Sequence, residues 1–403
     1  MSLLDLFLDK QKWQDFLNEK IQKAHLSKRE QDFFIEYINS EKYLNICKNI
    51  INNNYTFSIP KKILLNKLGS NKKRIVYSFN EDENIILKFL YYLLRKYDNI
   101  FCSNCYAFRQ NTTVQKAFFN LLKNNNIDNM FAYKIDISNY FNSINIDLLL
   151  PMLKKVFVDD DKLFNFVKNI LTADKSFDGN NIFFEKRGAM AGTPLSTFLA
   201  NIYLSDLDKY FEDNNIIYAR YSDDIIVFAE DINKLEEHKK HIYQTLNSKH
   251  LKINSDKECL FAKGEPWNFL GFEYCNKQID LSKITTKKIK DKIRRKARAL
   301  FRWKTRKQKS VEHAIKVMLR IFNNKFFKET DLKDLTWSKW YFPIITTAKS
   351  LKEIDNYFVN YLRYLSTGKF TKKNFNITYQ LLKNWGYKSL VNEYYKHIKA
   401  FKN

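Results

Sequence analysis

Glycine, proline and cysteine are scarce in this 403-residue chain, which contains 8 Gly, 5 Pro and 5 Cys. Few turn-forming residues favour long helices and disfavour an all-β architecture with many tight turns. An odd number of scattered cysteines is not a disulfide framework and is typical of a reducing compartment. We interpret Cys102 and Cys105 as structural, because no second Cys or His pair completes a zinc site.

Long apolar runs are also missing, so the sequence predicts no transmembrane helix and no membrane partner. The best candidate, residues 85–94, is short and contains Lys88. Residues 1–10 lack the basic start and the cleavage pattern of a secretory signal. These absences predict a cytoplasmic protein.

Positive charge is in excess, since 69 Lys and Arg oppose 44 Asp and Glu and leave a formal net charge of +25. A chain with 45% hydrophobic residues buries a core, so the charge belongs to a folded protein and indicates a polyanionic partner. However, 56 of the basic residues are Lys and 13 are Arg, a bias that AT-rich coding sequence also produces. The net charge alone leaves both interpretations open.

The hydrophobic pattern predicts a helix-rich chain with a few strands. Apolar spacing predicts helices through residues 1–70, at 84–97 and 112–124, and again from about 287 onward. Residues 131–137 alternate in the manner of a strand.

Carboxylates stand at the ends of two predicted strands. Asp136 ends an apolar strand, and residues 216–228 form two apolar arms around Ser222, Asp223 and Asp224. Such arms predict a β-hairpin with adjacent carboxylates at its tip. A divalent cation would relieve their repulsion, and Mg²⁺ prefers carboxylate and phosphate oxygens. Together the three acids are candidates for holding two metals about 3.5–4 Å apart for phosphoryl transfer.

An acidic run by itself does not establish a metal site. Asp159, Asp160 and Asp161 read as an ordinary solvated loop. The flanking sequence distinguishes Asp223 and Asp224, because packing gives no reason to place two acids at the tip of an apolar hairpin.

A third segment, residues 187–196, contains glycines at positions 188 and 192 that permit close backbone approach. Pro194 and Ser196 open a predicted helix whose N-terminal amides are suited to a nucleotide or a template. Taken alone, the segment is equally a structural turn before a helix.

In order and spacing, these segments resemble the palm motifs of reverse transcriptases, over residues 72–275. Asp136 with Phe141 resembles motif A, residues 188–196 resemble motif B, and residues 221–224 resemble the Tyr-x-Asp-Asp box of motif C. Residues 106–109, Tyr-Ala-Phe-Arg, resemble the fingers-to-palm signature, in which Gly is usual at the Ala107 position. Residues 251–257 resemble motif D, and Asn268–Phe272 resembles the primer-grip turn.

The resemblance implies an α+β, helix-rich right-hand polymerase with fingers, a palm built on an antiparallel sheet, and a helical thumb. Its expected parts are an N-terminal helical extension and fingers over 1–130, the palm over 131–276, and a thumb or maturase-like region over 277–403. It also implies an RNA-directed DNA polymerase that uses an RNA template and dNTPs, makes a cDNA–RNA duplex, and requires two Mg²⁺ ions, or Mn²⁺ in their place.

The resemblance also implies individual roles. Asp136, Asp223 and Asp224 are the expected metal ligands, with the backbone carbonyl of Ile137, and Lys257 is the expected general acid for the pyrophosphate leaving group. Nucleotide contacts are expected from Lys73, Arg74, Phe141, Gly192 and Ser196, of which the first two meet the triphosphate. The Phe141 ring would exclude a ribose 2′-hydroxyl. Primer contacts are expected from Phe269 and Gly271.

Positive charge is densest in residues 287–309, where 13 of 23 residues are basic and one is acidic. A stripe of Ile289, Ile293, Ala297 and Leu300 predicts a helix that packs one side and presents charge on the rest. Six of the 13 Arg lie between positions 294 and 320, which codon bias does not explain. The predicted duplex contacts are Arg294, Arg295, Arg298, Arg302 and Arg306, and the alternative is a merely solvated face.

Departures from the motifs indicate the subfamily. Ala191 stands where most group II intron and retron enzymes have Gln, and the Val-Thr-Gly signature of retrons is not visible near residues 284–286. The chain most resembles bacterial defence-associated reverse transcriptases, with their second type favoured, which act against phage and in some types copy a dedicated noncoding RNA. Two alternatives remain open: untemplated or protein-primed DNA synthesis, and a non-catalytic RNA-binding maturase-like protein.

Overall fold

The structure is a computed structural model that describes residues 1–23, 26, 28–66, 73–123, 126–327 and 336–402. By its internal contacts the chain divides into two compact units, Met1–Lys263 and Gly264–Asn403. The described residues combine many helices with small sheets that are mainly antiparallel, which confirms the α+β prediction. Within them, no helix is both long and apolar enough to span a membrane.

Helices form most of both units. Unit 1 contains α1 (Lys10–Lys23), α2 (Lys28–Asn39), α3 (Tyr43–Ile51), α4 (Glu81–Leu94), α5 (Val114–Leu121), α6 (Tyr140–Ser143), α7 (Ile146–Val156), α8 (Asp161–Thr172), α9 (Ser196–Tyr203), α10 (Ser205–Asp213) and α11 (Ile232–Ser248). Unit 2 contains α12 (Lys283–Arg306), α13 (Val311–Phe327), α14 (Trp337–Tyr341), α15 (Lys349–Thr367), α16 (Tyr379–Asn384) and α17 (Leu390–Lys402). Short 3-10 helices cover Leu3–Leu8, Arg95–Ile100, Ile127–Asn129, Ser255–Lys257 and Lys372–Asn376.

Strands form three small sheets. They are β1 (Lys61–Asn66), β2 (Lys73–Ser78), β3 (Phe131–Asp136), β4 (Lys175–Phe177), β5 (Ile182–Phe184), β6 (Tyr218–Tyr221), β7 (Asp224–Ala229), β8 (Cys259–Phe261), β9 (Trp267–Phe269), β10 (Phe272–Cys275) and β11 (Gln278–Leu281). The strand orders are β2-β1-β4-β5, β6-β7-β3-β8 and β11-β10-β9.

The first sheet corrects the prediction that residues 1–70 are helical throughout. Residues 61–66 form β1, which pairs antiparallel with β2 from Lys61 opposite Ser78 to Asn66 opposite Lys73. A six-residue segment is too short for its hydrophobic period to separate strand from helix, and the pairing with β2 decided its structure. Residues 67–70 lie outside the described residues.

Aromatic packing holds the N-terminal helices together. Trp13 on α1 is fully buried, with its ring centroid 3.9 Å from that of Phe89 and 4.4 Å from that of Tyr43.

The acidic run at residues 159–161 differs from the prediction of a solvated loop. Asp160 is buried, caps α8 through the Leu163 amide, and accepts a hydrogen bond from the Leu3 amide at 2.7 Å. This carboxylate therefore anchors the N-terminal segment and is not a solvated loop residue.

We call the sheet with strand order β6-β7-β3-β8 the palm sheet, because Asp136 and residues 221–224 lie on it. In this sheet β3 lies between β7 and β8, and β6 lies beyond β7. The residues of β7 from Ile225 to Ala229 are all buried, as are Tyr133 and Ile135 on β3. Because both faces of the central strands are covered, these strands have nearly continuous apolar sequences. Polar residues occur where the strands end, and this edge of the sheet contains the site described below.

Unit 2 consists of the three-stranded sheet and the helices from α12 onward. The predicted stripe of α12 is confirmed, since Ile289, Ile293, Ala297 and Leu300 are all buried. Its helix begins at Lys283, where Ser282 caps the first turn by accepting a hydrogen bond from the Thr285 amide. The charged residues occupy the remaining surface of the helix.

Candidate active site

The hairpin formed by β6 and β7 brings the three predicted acids together. Asp224 lies directly opposite Asp136 in the antiparallel pairing of β7 with β3. Ser222 and Asp223 make the tight turn of the hairpin, and Ser222 adopts a φ of +63°. The Ile137 amide donates a hydrogen bond to the Asp223 carbonyl oxygen at 3.0 Å and fixes the turn against the end of β3. One carboxylate oxygen from each acid lies within 4.8 Å of the others.

Burial and mutual repulsion make this cluster costly to ionise. Asp136 is 5% exposed, and Asp223 and Asp224 are half-buried. Burial, followed by the Asp223 charge, raises the pKa of Asp224 to about 6. Burial and then the Asp136 charge raise the pKa of Asp223. Three carboxylates in such a setting are suited to divalent cations, which offset the repulsion and prefer hard oxygen ligands.

These residues therefore fit the predicted metal centre. Carboxylate oxygens separated by less than 5 Å can share or bridge cations, and Mg²⁺ and Mn²⁺ both accept such ligands. Ile137 directly follows Asp136 at the end of β3, and a metal contact from its carbonyl oxygen stays a prediction. Which cation occupies the site stays a prediction.

Two residues of the segment after Leu251 hold Asp136. The Lys257 ammonium forms an ion pair with one Asp136 carboxylate oxygen. Asn254 donates its side-chain amide to the other oxygen at 3.2 Å and its backbone amide to the Asp136 carbonyl at 2.8 Å. The motif resemblance predicts Lys257 at the site but not Asn254. No local pattern marks Asn254, because its partner lies 118 positions away.

A half-buried glutamate anchors that same segment from the opposite face of the sheet. Glu258 accepts hydrogen bonds from the hydroxyls of Tyr133 and Tyr243, both at 2.7 Å. Tyr133 lies three residues before Asp136 on β3 and so points to the other face. Burial raises the pKa of Tyr133, which keeps its hydroxyl protonated as a donor. The Glu258 contacts thereby position Lys257 next to Asp136.

A buried ion pair supports the β6–β7 hairpin. Arg220 and Asp208 are 0% and 1% exposed, and the Arg220 Nε donates to Asp208 at 2.7 Å. Arg220 also donates to the Ser222 carbonyl oxygen at 3.3 Å, inside the turn that bears Asp223. Tyr218 donates its hydroxyl to Asp208 at 3.0 Å. An arginine within an apolar strand is the one sequence signal of this pair, and the motif resemblance assigns it no role.

The fingers-to-palm segment lies beside the same hairpin. Tyr106 donates its amide to the Arg220 carbonyl at 3.0 Å, and Arg109 donates to the Cys105 carbonyl at 2.9 Å. Cys105 is buried and its sulfur is 3.2 Å from an Arg220 nitrogen. Cys102 and Cys105 belong to no metal-ligand cluster among the described residues.

Gly188 and Gly192 make close backbone contacts, as predicted for motif B. Gly188 has a φ of +58°, and a Cβ there would lie 2.5 Å from the Phe141 carbonyl oxygen. Gly192 has a φ of +98°, and its Cβ would lie 3.0 Å from Val76 on β2. The Tyr77 amide donates to the Ala191 carbonyl at 2.7 Å. The segment thus joins the helix after β3 to the β1–β2 hairpin.

The predicted nucleotide-binding residues occupy different environments. Phe141 is half-buried on α6, and its ring centroid is 6.1 Å from that of Phe108. Lys73 and Arg74 are exposed at the start of β2, and the Arg74 charge favours ionised Asp223. Ser196 is 2% exposed and donates its hydroxyl to the Thr193 carbonyl at 2.7 Å. The Ser196 side chain therefore caps its own turn, and a nucleotide contact there stays a prediction.

The predicted primer and duplex contacts belong to unit 2. Phe269 is 0% exposed, so its ring packs in the core and offers no surface to a strand. Gly271 has a φ of +92°, and a Cβ would lie 2.9 Å from the Thr285 hydroxyl. The Gly271 carbonyl oxygen accepts hydrogen bonds from the Ser282 amide and the Thr285 hydroxyl, both at 2.9 Å. A primer contact at this turn stays a prediction. The five arginines predicted to contact the duplex, Arg294, Arg295, Arg298, Arg302 and Arg306, are all exposed on α12.

Comparisons with known proteins place this site within a matched family. Residues 59–274 match the family described as reverse transcriptase (RNA-dependent DNA polymerase). The putative COX1/OXI3 intron 2 protein of Saccharomyces cerevisiae is 25% identical over 195 residues, which are 48% of this chain and 22% of that protein. The retron Ec83 reverse transcriptase of Escherichia coli is 35% identical over 115 residues, which are 26% of this chain and 35% of that protein.

This chain therefore spans about a fifth and a third of the lengths of those two curated relatives. A solved structure, telomerase from Candida albicans in complex with a TWJ fragment of telomeric RNA, aligns with a TM-score of 0.45 and 13% identity. That alignment covers 95% of this chain and 73% of the telomerase chain. The family match, by contrast, covers more than half of this chain and includes Asp136, Asp223 and Asp224. The protein belongs to the reverse transcriptase (RNA-dependent DNA polymerase) family.

Proposed function

We propose that this protein is an RNA-directed DNA polymerase that copies an RNA template into cDNA. The observation that carries the proposal is the cluster of Asp136, Asp223 and Asp224, whose carboxylate oxygens lie within 4.8 Å of one another at one edge of the palm sheet. Contacts from Asn254 and Lys257 hold the most buried of these acids. Such an arrangement suits phosphoryl transfer, in which positioning and charge stabilisation supply most of the catalysis.

Each part of the reaction would depend on particular residues of this chain. Two divalent cations bound to the three carboxylates, Mg²⁺ or Mn²⁺, would activate the primer 3′-hydroxyl and stabilise the charge of the leaving pyrophosphate. Lys73 and Arg74, exposed at the start of β2, would bind the incoming triphosphate. The Lys257 ammonium, tethered to Asp136, would donate a proton to the pyrophosphate.

Sugar selection would depend on Phe141. Its ring is half-buried, contacts Phe108, and sits on the helix directly after the strand that bears Asp136. The Ala189 amide donates a hydrogen bond to the Phe141 carbonyl oxygen at 2.8 Å and so supports the backbone at this position. A ring held in this way would collide with a ribose 2′-hydroxyl, so we propose dNTPs as substrates.

The biological setting is inferred from the motif departures. We propose that the protein acts in the bacterial cytoplasm in defence against phage, that its template is a dedicated noncoding RNA, and that it is related to the second type of defence-associated reverse transcriptase. Exposed Arg294, Arg298 and Arg302 on α12 support binding of the cDNA–RNA duplex. If a variant with both Asp223→Ala and Asp224→Ala still protects cells from phage, catalysis is not the function. A wild-type protein that gives no protection would overturn the proposed role in defence.

The DNA product distinguishes this function from the two alternatives. Untemplated or protein-primed synthesis would yield DNA without complementarity to a supplied RNA, or DNA attached to protein. A non-catalytic RNA-binding protein would yield no DNA. Sequencing the product made on an RNA of mixed sequence distinguishes all three, since the proposed polymerase makes the complement of that RNA.

A further inference from the structure

Unit 2 contains a groove between α12 and α13 that the duplex-contact prediction does not use. Its cavity volume is about 490 Å³, and it is lined by Lys296, Ala299, Leu300, Trp303, His313, Val317 and Arg320. This volume lies in the range of pockets that hold single small organic groups, roughly 300–1,000 Å³. The groove therefore accommodates one nucleotide and excludes a double helix.

Two aromatic rings form the side of the groove. The centroids of Trp303 and His313 are 5.7 Å apart with an interplanar angle of 32°. Trp303 is half-buried and His313 is exposed, so both rings retain accessible surface. Flat rings that are accessible within a groove are the surface on which unpaired bases stack, at roughly 1–3 kcal/mol per base.

Basic residues line the groove and continue beyond it along α12 and α13. Lys296 and Arg320 line the groove, and the neighbouring Lys292 and Lys325 lie close together on α12 and α13. Burial and then the Lys325 charge lower the pKa of Lys292. In the part of the chain that the structure describes, no carboxylate forms an ion pair with any of these four side chains. Like charges gathered without a carboxylate partner are suited to phosphates.

The groove also faces away from Arg298, one of the predicted duplex contacts. Lys296 and Arg298 are two positions apart on α12, and residues at that spacing point about 160° apart around a helix. Arg298 is exposed and Leu300, at the floor of the groove, is buried. A strand bound in the groove therefore does not compete for the side of α12 that bears Arg298.

We infer that the α12–α13 groove binds an unpaired nucleotide of a single-stranded nucleic acid, with the base stacked on Trp303 and the flanking phosphates on Lys296 and Arg320. The bases of a duplex are stacked inside it and cannot reach these rings, so the ligand is a single strand. RNA and DNA offer the same base and phosphate chemistry here. The inference does not rest on polymerase activity, because binding requires neither metal nor dNTP.

The test measures binding of the full-length protein in EDTA without dNTPs. The probes are fluorescently labelled oligouridine, oligothymidine and an RNA–DNA duplex, followed by fluorescence anisotropy. Trp303→Ala is expected to weaken single-strand binding about tenfold and duplex binding less than about twofold, since it removes one stacking contact. Trp303→Phe is expected to retain most of the affinity, because a smaller aromatic ring still stacks.

A second variant keeps the test sound if Trp303→Ala fails to fold. Combining Lys296→Gln with Arg320→Gln changes surface residues only, and it should lower the slope of log affinity against log salt by about 1.4 for single strands. The matched controls in the same unit are Trp385→Ala and Lys373→Gln, at a half-buried tryptophan and an exposed lysine outside the groove. Neither control should change single-strand binding.

The outcomes separate the possibilities. If Trp303→Ala weakens binding of the single-stranded probes but not of the duplex, the result supports the inference. Whichever of oligouridine and oligothymidine binds more tightly then identifies the strand as RNA or DNA. Unchanged single-strand binding by folded Trp303→Ala overturns it, as does an equal loss for single strands and duplex. Binding of uridine monophosphate as tight as that of oligouridine would also overturn it, in favour of a mononucleotide site. A protein that fails to polymerise can still pass this test.

Discussion

Asp136 and Asp224 lie directly opposite each other on neighbouring antiparallel strands, at the edge of the palm sheet where the Asp223 turn closes. Like charges in directly opposed positions destabilise a sheet. Burial adds to this cost and raises the pKa of Asp224 to about 6. The fold therefore holds these acids at a cost in stability, in a position where bound cations would offset the repulsion.

The cost of this cluster predicts that Asp224→Asn stabilises the metal-free protein while abolishing activity. The folded-state pKa of Asp224 is raised above its ordinary 3.8, so ionising the carboxyl destabilises the native state as pH rises from about 4 through 6. At pH 7 in EDTA the variant should gain roughly 1–3 kcal/mol in free energy of unfolding, and the gain should vanish near pH 4. Urea unfolding across this pH range measures it. Asp213→Asn, at an exposed acid, is the control, and a destabilised Asp224→Asn protein would contradict the account.

The position of Phe141 predicts its effect on sugar selection. Phe141→Ala should raise the efficiency of rNTP incorporation relative to dNTP by at least about tenfold, because the steric barrier to a 2′-hydroxyl is removed. Steady-state kcat/KM for dNTP and rNTP pairs on one RNA template measures the ratio. Phe184→Ala, at an exposed ring on β5, should leave the ratio unchanged. Unaltered selectivity in Phe141→Ala would refute the assignment.

The contacts of Glu258 predict a positioning effect on the chemical step. Glu258→Ala releases both tyrosine hydroxyls and loosens the segment that bears Asn254 and Lys257. We expect kcat to fall about tenfold with dNTP KM within about twofold, since misplacement of a group by part of an ångström slows the chemistry more than binding. Tyr243→Phe removes one of the two contacts and should have a smaller effect.

The comparison variant for Glu258 is Glu237→Ala, which alters an exposed glutamate on α11. It should preserve both kinetic constants. An increase in KM without loss of kcat in Glu258→Ala would show that the residue supports nucleotide binding, against the prediction.

The buried pair of Arg220 and Asp208 predicts a large stability effect. Asp208→Asn leaves the Arg220 charge buried without its partner, which should cost about 3–5 kcal/mol in free energy of unfolding. Combining Arg220→Met with Asp208→Asn removes the charge and keeps an acceptor for the Tyr218 hydroxyl, so the double variant should be more stable than Asp208→Asn alone. Urea unfolding monitored by circular dichroism measures both. A double variant less stable than the single one would contradict this role.

The close packing at Gly188 predicts that an alanine there is more destabilising than an alanine at Gly179. Both Gly188 and Gly179 have positive φ, at +58° and +111°, so an alanine is strained at either position. Only at Gly188 would the new Cβ also collide with backbone, 2.5 Å from the Phe141 carbonyl oxygen. Gly188→Ala should therefore lower the melting temperature more than Gly179→Ala, by thermal unfolding, and should alter the dNTP to rNTP ratio. Equal effects would show that the contact is unimportant.

The sequence allowed the catalytic strand and hairpin to be predicted, because their information is local. An apolar strand ending in Asp136 and two apolar arms around Asp223 and Asp224 are patterns that core packing alone does not produce. The α12 stripe was predictable for the same reason, since four apolar residues at helical spacing define a buried side.

Features that depend on distant partners were not predictable. Asn254 and Asp208 have ordinary local surroundings, and only the tertiary fold brings them to Asp136 and Arg220. Residues 61–66 became a strand because β2 was available to pair with them. Phe269 matched a motif whose turn residues, Leu270 and Gly271, are half-buried, whereas the Phe269 ring is fully buried.

The central claim is that the three acids at the edge of the palm sheet catalyse RNA-templated DNA synthesis. Primer extension on a defined RNA, with the wild-type protein and a variant carrying both Asp223→Asn and Asp224→Asn, tests it most directly. We predict Mg²⁺-dependent DNA complementary to the RNA from the wild type and none from the variant, whose fold is checked by thermal unfolding. Equal synthesis by both proteins, or wild-type DNA that is not complementary to the RNA, would contradict the account.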